Sequence, residues 1–272
     1  MLIHSFNRYN AFFLHLLLSA VVVGISAAIV FLCWYPGLLA YASGVADIFL
    51  ILASVDVVLG PLITLIVFNV KKKELKRDLS IIIFVQIAAL LYGVNTLFSA
   101  RPVFIVFNAD RFDVVYANEI SDDAKLQSKY EELWRGLYFG PKFVGARLPK
   151  DEQLAKKIMI DAVSGGKDIQ LMPQFYVPFD EMKEERRRAA RSLDELKVYN
   201  KENILEVNNI INQFTSKSDK FGYVPLIGKT KNLVTVVNID TAEIIIMNKL
   251  KPLDDSYGAS AVDLQAILKK NK

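Results

Sequence analysis

The chain has 272 residues, 53% of them hydrophobic, a formal net charge of +4 and a mean hydropathy of +0.28. A soluble domain is rarely this apolar. Six of the 33 Lys and Arg residues and four of the 29 Asp and Glu residues precede residue 99. The average therefore hides an apolar membrane half and a nearly neutral soluble half, which lacks the basic face that nucleic-acid binding needs. The single cysteine, Cys33, excludes an intrachain disulfide and a thiolate metal cluster.

Three apolar runs are long enough to cross a bilayer, for which roughly 20 residues suffice. The first covers about Ala11 to Tyr35. No charged residue occurs between Arg8 and Asp47, and the run is longer than the h-region of a signal peptide. Ala20, Gly24 and Ala28 recur every fourth residue, a ridge that lets another helix approach closely. Trp34 and Tyr35 close it where aromatic rings favour the interface.

The second run, about Ala46 to Val70, carries Asp56. A carboxylate at mid-helix costs about 2.5–3.5 kcal/mol, and the Leu, Ile, Val and Phe residues around it return roughly 5–9 kcal/mol, so insertion wins. Asp56, Gly60 and Thr64 share one face, which should turn towards the other helices. Pro61 should distort the helix and leave a carbonyl near residue 57 without its N–H.

The third run, about Leu79 to Ala100, has Gln86, Tyr92 and Asn95 as its polar members. At about 1.5 Å per residue from the loop between the second and third runs, Asp56 lies roughly 22 Å in and Gln86 only about 12 Å. Asp56 is thus expected to bond Tyr92, Asn95 or Ser26. It is read as polar glue for a three-helix bundle in preference to a proton or ion relay, because no membrane-embedded base is apparent.

That loop holds Lys71, Lys72, Lys73, Lys76 and Arg77. Short basic loops stay in the cytoplasm, and such clusters also touch anionic lipid head groups. The loop after Tyr35 has no Lys or Arg, which suits the outer side. The expected arrangement has residues 1–100 as a three-helix transmembrane domain and 101–272 as an α+β domain outside the cytoplasm, the periplasm in a bacterium with two membranes. Arg101-Pro102 breaks the third helix and forms the junction.

The second half opens on two β-rich runs, Val103–Phe107 and Phe112–Tyr116, around an Asn-Ala-Asp turn, which read as a hairpin. Ser121 should cap a helix through Leu126, Tyr130, Leu133 and Leu137. A further helix starts near Pro149 and ends at Gly165-Gly166. Pro173–Phe179 is an extended, aromatic segment that covers the core or faces a partner. Asp180 should cap a helix through Leu196 with Glu184 and Arg188 paired and its arginines solvated. Another helix covers about Lys201 to Phe214. Strands follow at Tyr223–Ile227, placed at an edge by Pro225, at Leu233–Ile239 and at Glu243–Met247. A terminal helix is expected within Ser256–Lys272. The fold expected is thus a small, mostly antiparallel sheet with several helices.

No catalytic, cofactor or metal site emerges. The histidines, His4 and His15, lie at or in the first span, which excludes a histidine-based hydrolase or zinc site in the second half. Gly228-Lys229-Thr230 lacks the earlier glycine of a phosphate-binding loop and reads as a turn. Adjacent acids such as Asp122-Asp123 and Asp254-Asp255 are ordinary at turns. An Asp/Glu-only hydrolase is the one enzyme class left over.

Several of these segments together, Asp56 to Thr64 with its Leu-Gly-Pro, the basic loop, Asp78-Leu79, Gln86, Tyr92-Gly93, Arg101-Pro102, Arg111-Phe112, and Gly165 to Ile169 followed by Pro173 and Tyr176, resemble the type IV pilin accessory proteins. These are small inner-membrane proteins encoded beside a major pilin gene. The resemblance covers the whole chain and is strongest from Asp47 to Val115. It implies a role in assembling or displaying pili, with the cognate major pilin as partner, other inner-membrane pilus components as further candidates, and no cofactor. The membrane face of Asp56, Gly60, Pro61 and Thr64, with Gln86, Tyr92 and Asn95, is then the candidate partner surface. The competing classes are a membrane-anchored periplasmic sensor or ligand-binding protein, and a transporter subunit argued from Asp56 alone.

Overall fold

A computed structural model describes residues 7–126, 128, 134, 139–215 and 220–254. The chain divides into two compact units, Met1–Arg101 and Pro102–Lys272. His4, Asp255, the helical positions Tyr130, Leu133 and Leu137, and the expected terminal helix within Ser256–Lys272 lie outside the described residues.

Three helices of the first unit are long and apolar enough to span a membrane: Arg8–Trp34, Val45–Val67 and Leu75–Ser99. The first begins at Arg8 because the Asn7 side chain accepts the N–H groups of Tyr9 and Asn10, donors that helix geometry leaves orphaned. It runs as α1 (Arg8–Ala28) into a π turn at Ile29–Trp34. A short helix, α2 (Leu38–Ser43), lies between Gly37 and Gly44, both at positive φ. The second span is α3 (Val45–Ser54), a π turn (Val55–Leu59) and α4 (Gly60–Val67), and the third is α5 (Leu75–Ser99).

The spans meet at one end through a cluster of Val23, Val30, Tyr35, Val45, Phe49 and Leu97. There the Tyr35 hydroxyl donates to the Leu97 carbonyl at 2.9 Å, the rings of Phe31 and Phe49 meet edge to face, and Trp34 packs on Phe98. The outward sides are apolar, with Leu32, Ile66 and Phe84 exposed. A surface of this kind belongs in hydrocarbon.

The expected small-residue ridge is not a helix contact. Ala20, Gly24 and Ala28 are all exposed, and nothing lies within 4 Å of the position a Gly24 Cβ would take. The cause is the rotation of α1: His15 bonds Thr64, and Gly24, nine residues further on, lies about half a turn round the helix. The tight approaches occur at Gly60, where a Cβ would fall 1.8 Å from Gln86 Nε2, and at Gly93, where it would fall 2.5 Å from Leu52.

The second unit holds a seven-stranded mixed sheet. Its strands are β1 (Pro102–Asn108), β2 (Arg111–Tyr116), β3 (Lys142–Ala146), β4 (Tyr176–Pro178), β5 (Phe221–Ile227), β6 (Leu233–Asn238) and β7 (Ile244–Asn248), in the order β4-β3-β1-β2-β5-β6-β7. The β1–β3 and β2–β5 pairs are parallel and the others antiparallel. β1 and β2 form the expected hairpin, tightened to a two-residue turn with Ala109 at φ 54°.

Every residue of β1 is buried, so both faces of the sheet are covered. Phe104 and Val106 pack with Val144, Ile158 and Tyr176. The opposite face carries edge-to-face or tilted contacts among Phe107, Phe112, Phe143 and Phe179. A second core joins Tyr223, Val234 and Val236 to α10 (Ile204–Thr215) through Val207, Ile210 and Phe214.

The helices of this unit follow local rules closely. α6 (Asp122–Leu126) starts after Ser121, whose hydroxyl accepts the Ala124 N–H. α7 (Glu152–Val163) starts at an Asp151 cap. It ends where Gly165 adopts φ 84° and Gly166 donates back to the Asp161 carbonyl at 2.7 Å, the bond pattern expected of a glycine C-cap.

Four expectations are corrected. The stretch after Asp180 is not one helix: it divides into α8 (Lys183–Ala189), a 3-10 turn at Leu193–Glu195 and α9 (Leu196–Tyr199). The break follows from backbone bonds exchanged between Arg191 and Tyr223 in both directions, which draw the chain alongside β5. Pro225 does not mark an edge, for β5 lies between β2 and β6. On the β2 side only Tyr223 (through Arg191) and Leu226 and Ile227 (through β2) are paired, so the missing N–H of Pro225 falls in a gap. The arginine run is a solvated face only at Arg188. Arg186 is buried over the Phe179 ring and donates to the Phe179 and Ala242 carbonyls, while Arg187 donates to the Ile239 carbonyl. Buried guanidinium survives because its donors meet backbone acceptors. Glu184 pairs with Arg187, not Arg188.

Pro173–Phe179 resolves into a 3-10 turn and the edge strand β4, with Tyr176 buried against Phe104. β3 has no counterpart in the sequence reading. Its five residues, KFVGA, follow a glycine and a proline and offer no alternation long enough to register.

Candidate functional site

The first unit contains a cavity of about 340 Å³ bounded by α1, the second span and α5. Its wall is apolar except for a few groups, chiefly His15, Ser19, Asp56, Thr64 and Gln86. Asp56 is 5% exposed and Thr64 3%. The expectation that Asp56, Gly60 and Thr64 form an inward face is met, and Pro61 is buried with them.

The local distortion explains how the polar groups pair. Pro61 has no N–H, and the turn before it is π: the Gly60 N–H donates to the Val55 carbonyl, five residues back. In an α-helix that N–H would serve the Asp56 carbonyl. The carbonyl so released accepts from Gln86 Nε2 at 3.4 Å. The orphan expected near residue 57 is therefore one residue earlier, and α5 supplies its donor.

Depth counting fails for the same pair. Gln86 stands level with Asp56, and Tyr92 and Asn95 do not. The basic segment does not separate the helices cleanly, since Lys76 and Arg77 already belong to α5, which starts at Leu75. Asp56 is eleven residues back from the end of α4 at Val67, and Gln86 eleven residues on from Leu75. Tyr92 is 77% exposed, Asn95 is exposed, and Ser26 donates to its own helix at the Val22 carbonyl. None bonds Asp56.

Both carboxylate oxygens of Asp56, and Gln86 Oε1, are buried without a hydrogen-bond partner among the described residues. Facing them is the residue that sequence reasoning passed over. His15 Nδ1 lies 2.7 Å from Thr64 Oγ1, so the first span does bring a titratable base into the cavity. The signal was present: a histidine in an otherwise uncharged span is itself a polar member and a candidate partner for Asp56.

The five cations of the basic loop are exposed. Lys72 pairs with Asp78 and Arg77 with Glu74. At the junction, Arg101 stacks on the Phe98 ring at 3.8 Å and donates to the Phe98 carbonyl at 2.7 Å, closing the last turn of α5, while Pro102 opens β1.

In the second unit a group of ion pairs lies at one end of the first hairpin. Arg111 Nε donates to both oxygens of Asp113, at 3.1 and 3.2 Å, and Arg111 Nη2 to Asp168 at 3.2 Å. Asn108 donates to Gln170 beside them at 3.0 Å. Burial pushes the Asp113 carboxyl up to about 6, and Arg111 opposes that. Two separate motifs of the sequence, Arg111-Phe112 and Gly165 to Ile169, thus meet in one ion-paired clasp. No group of three or more His, Cys, Asp or Glu residues among the described residues is arranged to hold a metal.

The fold defines a class: three apolar helices of membrane-spanning length near the N-terminus, followed by an α+β unit on a mixed sheet. Comparison with known proteins narrows it. The family model described as fimbrial assembly protein FimB matches residues 4–44. The chain is 30% identical over 246 residues to the fimbrial assembly protein, serogroup I, of Dichelobacter nodosus, covering 85% of this chain and 95% of that one. It is 29% identical over 245 residues to the serogroup E1 protein of the same organism, with the same coverage. To the protein of serogroups C1 and C2 it is 37% identical over 109 residues, 39% of this chain and 83% of that one. No solved structure matches it. The chain belongs to the fimbrial assembly protein family, the type IV pilin accessory proteins.

Proposed function

We propose that this protein is an inner-membrane accessory factor that assists assembly or surface display of its cognate major type IV pilin by touching it directly. In this reading residues 1–100 cross the inner membrane three times, the basic loop and N-terminus face the cytoplasm, and the unit from Pro102 onward lies in the periplasm. The observation that carries it is the 30% identity to a fimbrial assembly protein over 85% of the chain, which takes in both units. The division into a membrane-type bundle and a separate α+β unit supports it, because a membrane-held pilin with a globular head presents the same two environments. The protein acts by binding and positioning, not by catalysis.

The test is deletion of the gene with the pilin gene left intact. Cells should make pilin but lose most surface pili, and the full chain supplied in trans should restore them. The full chain extracted in detergent should carry pilin with it. Normal piliation in the deletion strain overturns the reading. A reporter fused after Lys272 that is active only in the cytosol overturns the orientation.

A further inference from the structure

The cavity behind Asp56 collects acceptors. Asp56 Oδ1 and Oδ2 and Gln86 Oε1 are buried and unpartnered, and Asp56 is 5% exposed on a wall that is otherwise mostly apolar. His15 lines the same wall and is engaged with Thr64 Oγ1, so these acceptors, which receive no hydrogen bond from the described residues, are complementary to a donor. Depth restricts who can bring one. Asp56 is eleven residues from the end of α4, about 16 Å at 1.5 Å per residue, near the middle of a hydrocarbon core about 30 Å thick. Lipid amines stay at the surface, and acyl chains have no donor. A protein segment at that depth must be helical, since lipid satisfies no backbone group.

We propose that this cavity is a docking site for one helix of a membrane-embedded partner, a helix that carries an N–H or ammonium donor near mid-bilayer and places it on Asp56. The proposal rests on the direct pilin contact described above and takes the apolar helix of the cognate pilin as that segment. The apolar wall, including Leu18, Val22, Ile83 and Leu90, receives the side chains around the donor. Gln86, already held to the Asp56 carbonyl, fixes α5 against the second span and keeps the cavity formed.

The experiment uses the full chain in membranes that contain the cognate pilin. A photo-crosslinking residue is placed at Val22 or Ile83, on the cavity wall. Control positions are Ile66, 81% exposed on the bundle exterior, and Val163, 88% exposed on α7 of the second unit. Val22 and Ile83 should give pilin adducts mapping to its apolar helix, and Ile66 should not. Asp56→Leu, which removes the acceptors without adding a polar group, should lower the adduct yield at least about tenfold, the ratio for one charge-assisted hydrogen bond. Asp56→Asn, which keeps the shape and one acceptor, should fall between and shows whether Leu merely misfolds the bundle. Replacing the donor on the adducted pilin helix by Leu should reproduce the loss and make Asp56→Leu without further effect. Adducts from Val163 with none from the cavity overturn the docking site and leave direct pilin contact standing. Cavity adducts to lipid only, or pilin adducts indifferent to Asp56→Leu, also overturn the docking site. No pilin adduct from any position overturns both.

Discussion

Among the described residues two aspartates are buried, one in each unit, and they are treated in opposite ways. Asp113, in the sheet, has both oxygens taken by Arg111, and Arg111 reaches on to Asp168. Asp56, in the membrane-type bundle, has both oxygens without a donor. The second unit pairs its buried aspartate within its own residues, although Ser128 Oγ, Trp134 Nε1, Gln174 Oε1 and Thr235 Oγ1 there are also buried without a partner among the described residues. The bundle does not pair its own, although the cost of an unpaired group is greatest in a low-dielectric setting. Asp113 is therefore read as part of the scaffold, and Asp56 as a group held ready for something outside the chain.

The largest effect that would sharpen this contrast is expected at Arg111. Arg111→Ala leaves Asp113 buried beside no cation and should cost roughly 3–5 kcal/mol, read as an earlier melting transition of the second unit in the detergent-solubilised chain. A loss below 1 kcal/mol would mean that the clasp is not structural.

The pH response of the same group comes next. The folded carboxyl of Asp113 titrates near 6 against an ordinary value of 3.8, so the folded state holds its proton longer than the unfolded chain. This contribution is fully present below about pH 4, is lost as the pH rises, and reaches its limit above about pH 6, roughly 3 kcal/mol in all. Chemical denaturation across that window should show wild type losing stability relative to Asp113→Asn. Parallel curves for the two would sink the assignment.

Asp56 should behave with the reverse sign to Arg111. Asp56→Leu removes unpaired buried acceptors and should stabilise the isolated bundle by about 1–3 kcal/mol, while piliation of cells carrying it falls. A destabilised bundle with normal pili would break the comparison, because it would make Asp56 a structural residue like Asp113.

The smallest effect is expected at Tyr35. Tyr35→Phe deletes one hydrogen bond to the Leu97 carbonyl and should cost about 0.6 kcal/mol, the size typical of interhelical bonds in membranes, with piliation unchanged.

Much of the second unit was legible because its rules are local. The start of α7 just after Pro149 and the Gly165-Gly166 stop are each set by chain within a few residues. The β1–β2 hairpin is set the same way, by runs of β-formers on either side of a turn. Arg186 and Pro225 were misread because their surroundings come from distant chain. Arg186 meets Ala242, and Pro225 lies beside a gap between Arg191 and β2. Local propensity contains no information about either.

The sequence by itself determined the three spans, the basic loop between the second and third, the inward face of Asp56, Gly60 and Thr64, and the α+β character of the rest, since hydrophobic run length and helical periodicity depend on composition and spacing alone. Only the tertiary structure decided which face α1 turns inward, that Gln86 and not Tyr92 stands level with Asp56, that His15 joins them, and how seven strands are ordered. Those are matters of rotation, register and pairing between segments far apart in the chain. They are settled by contacts that exist only once the segments have packed.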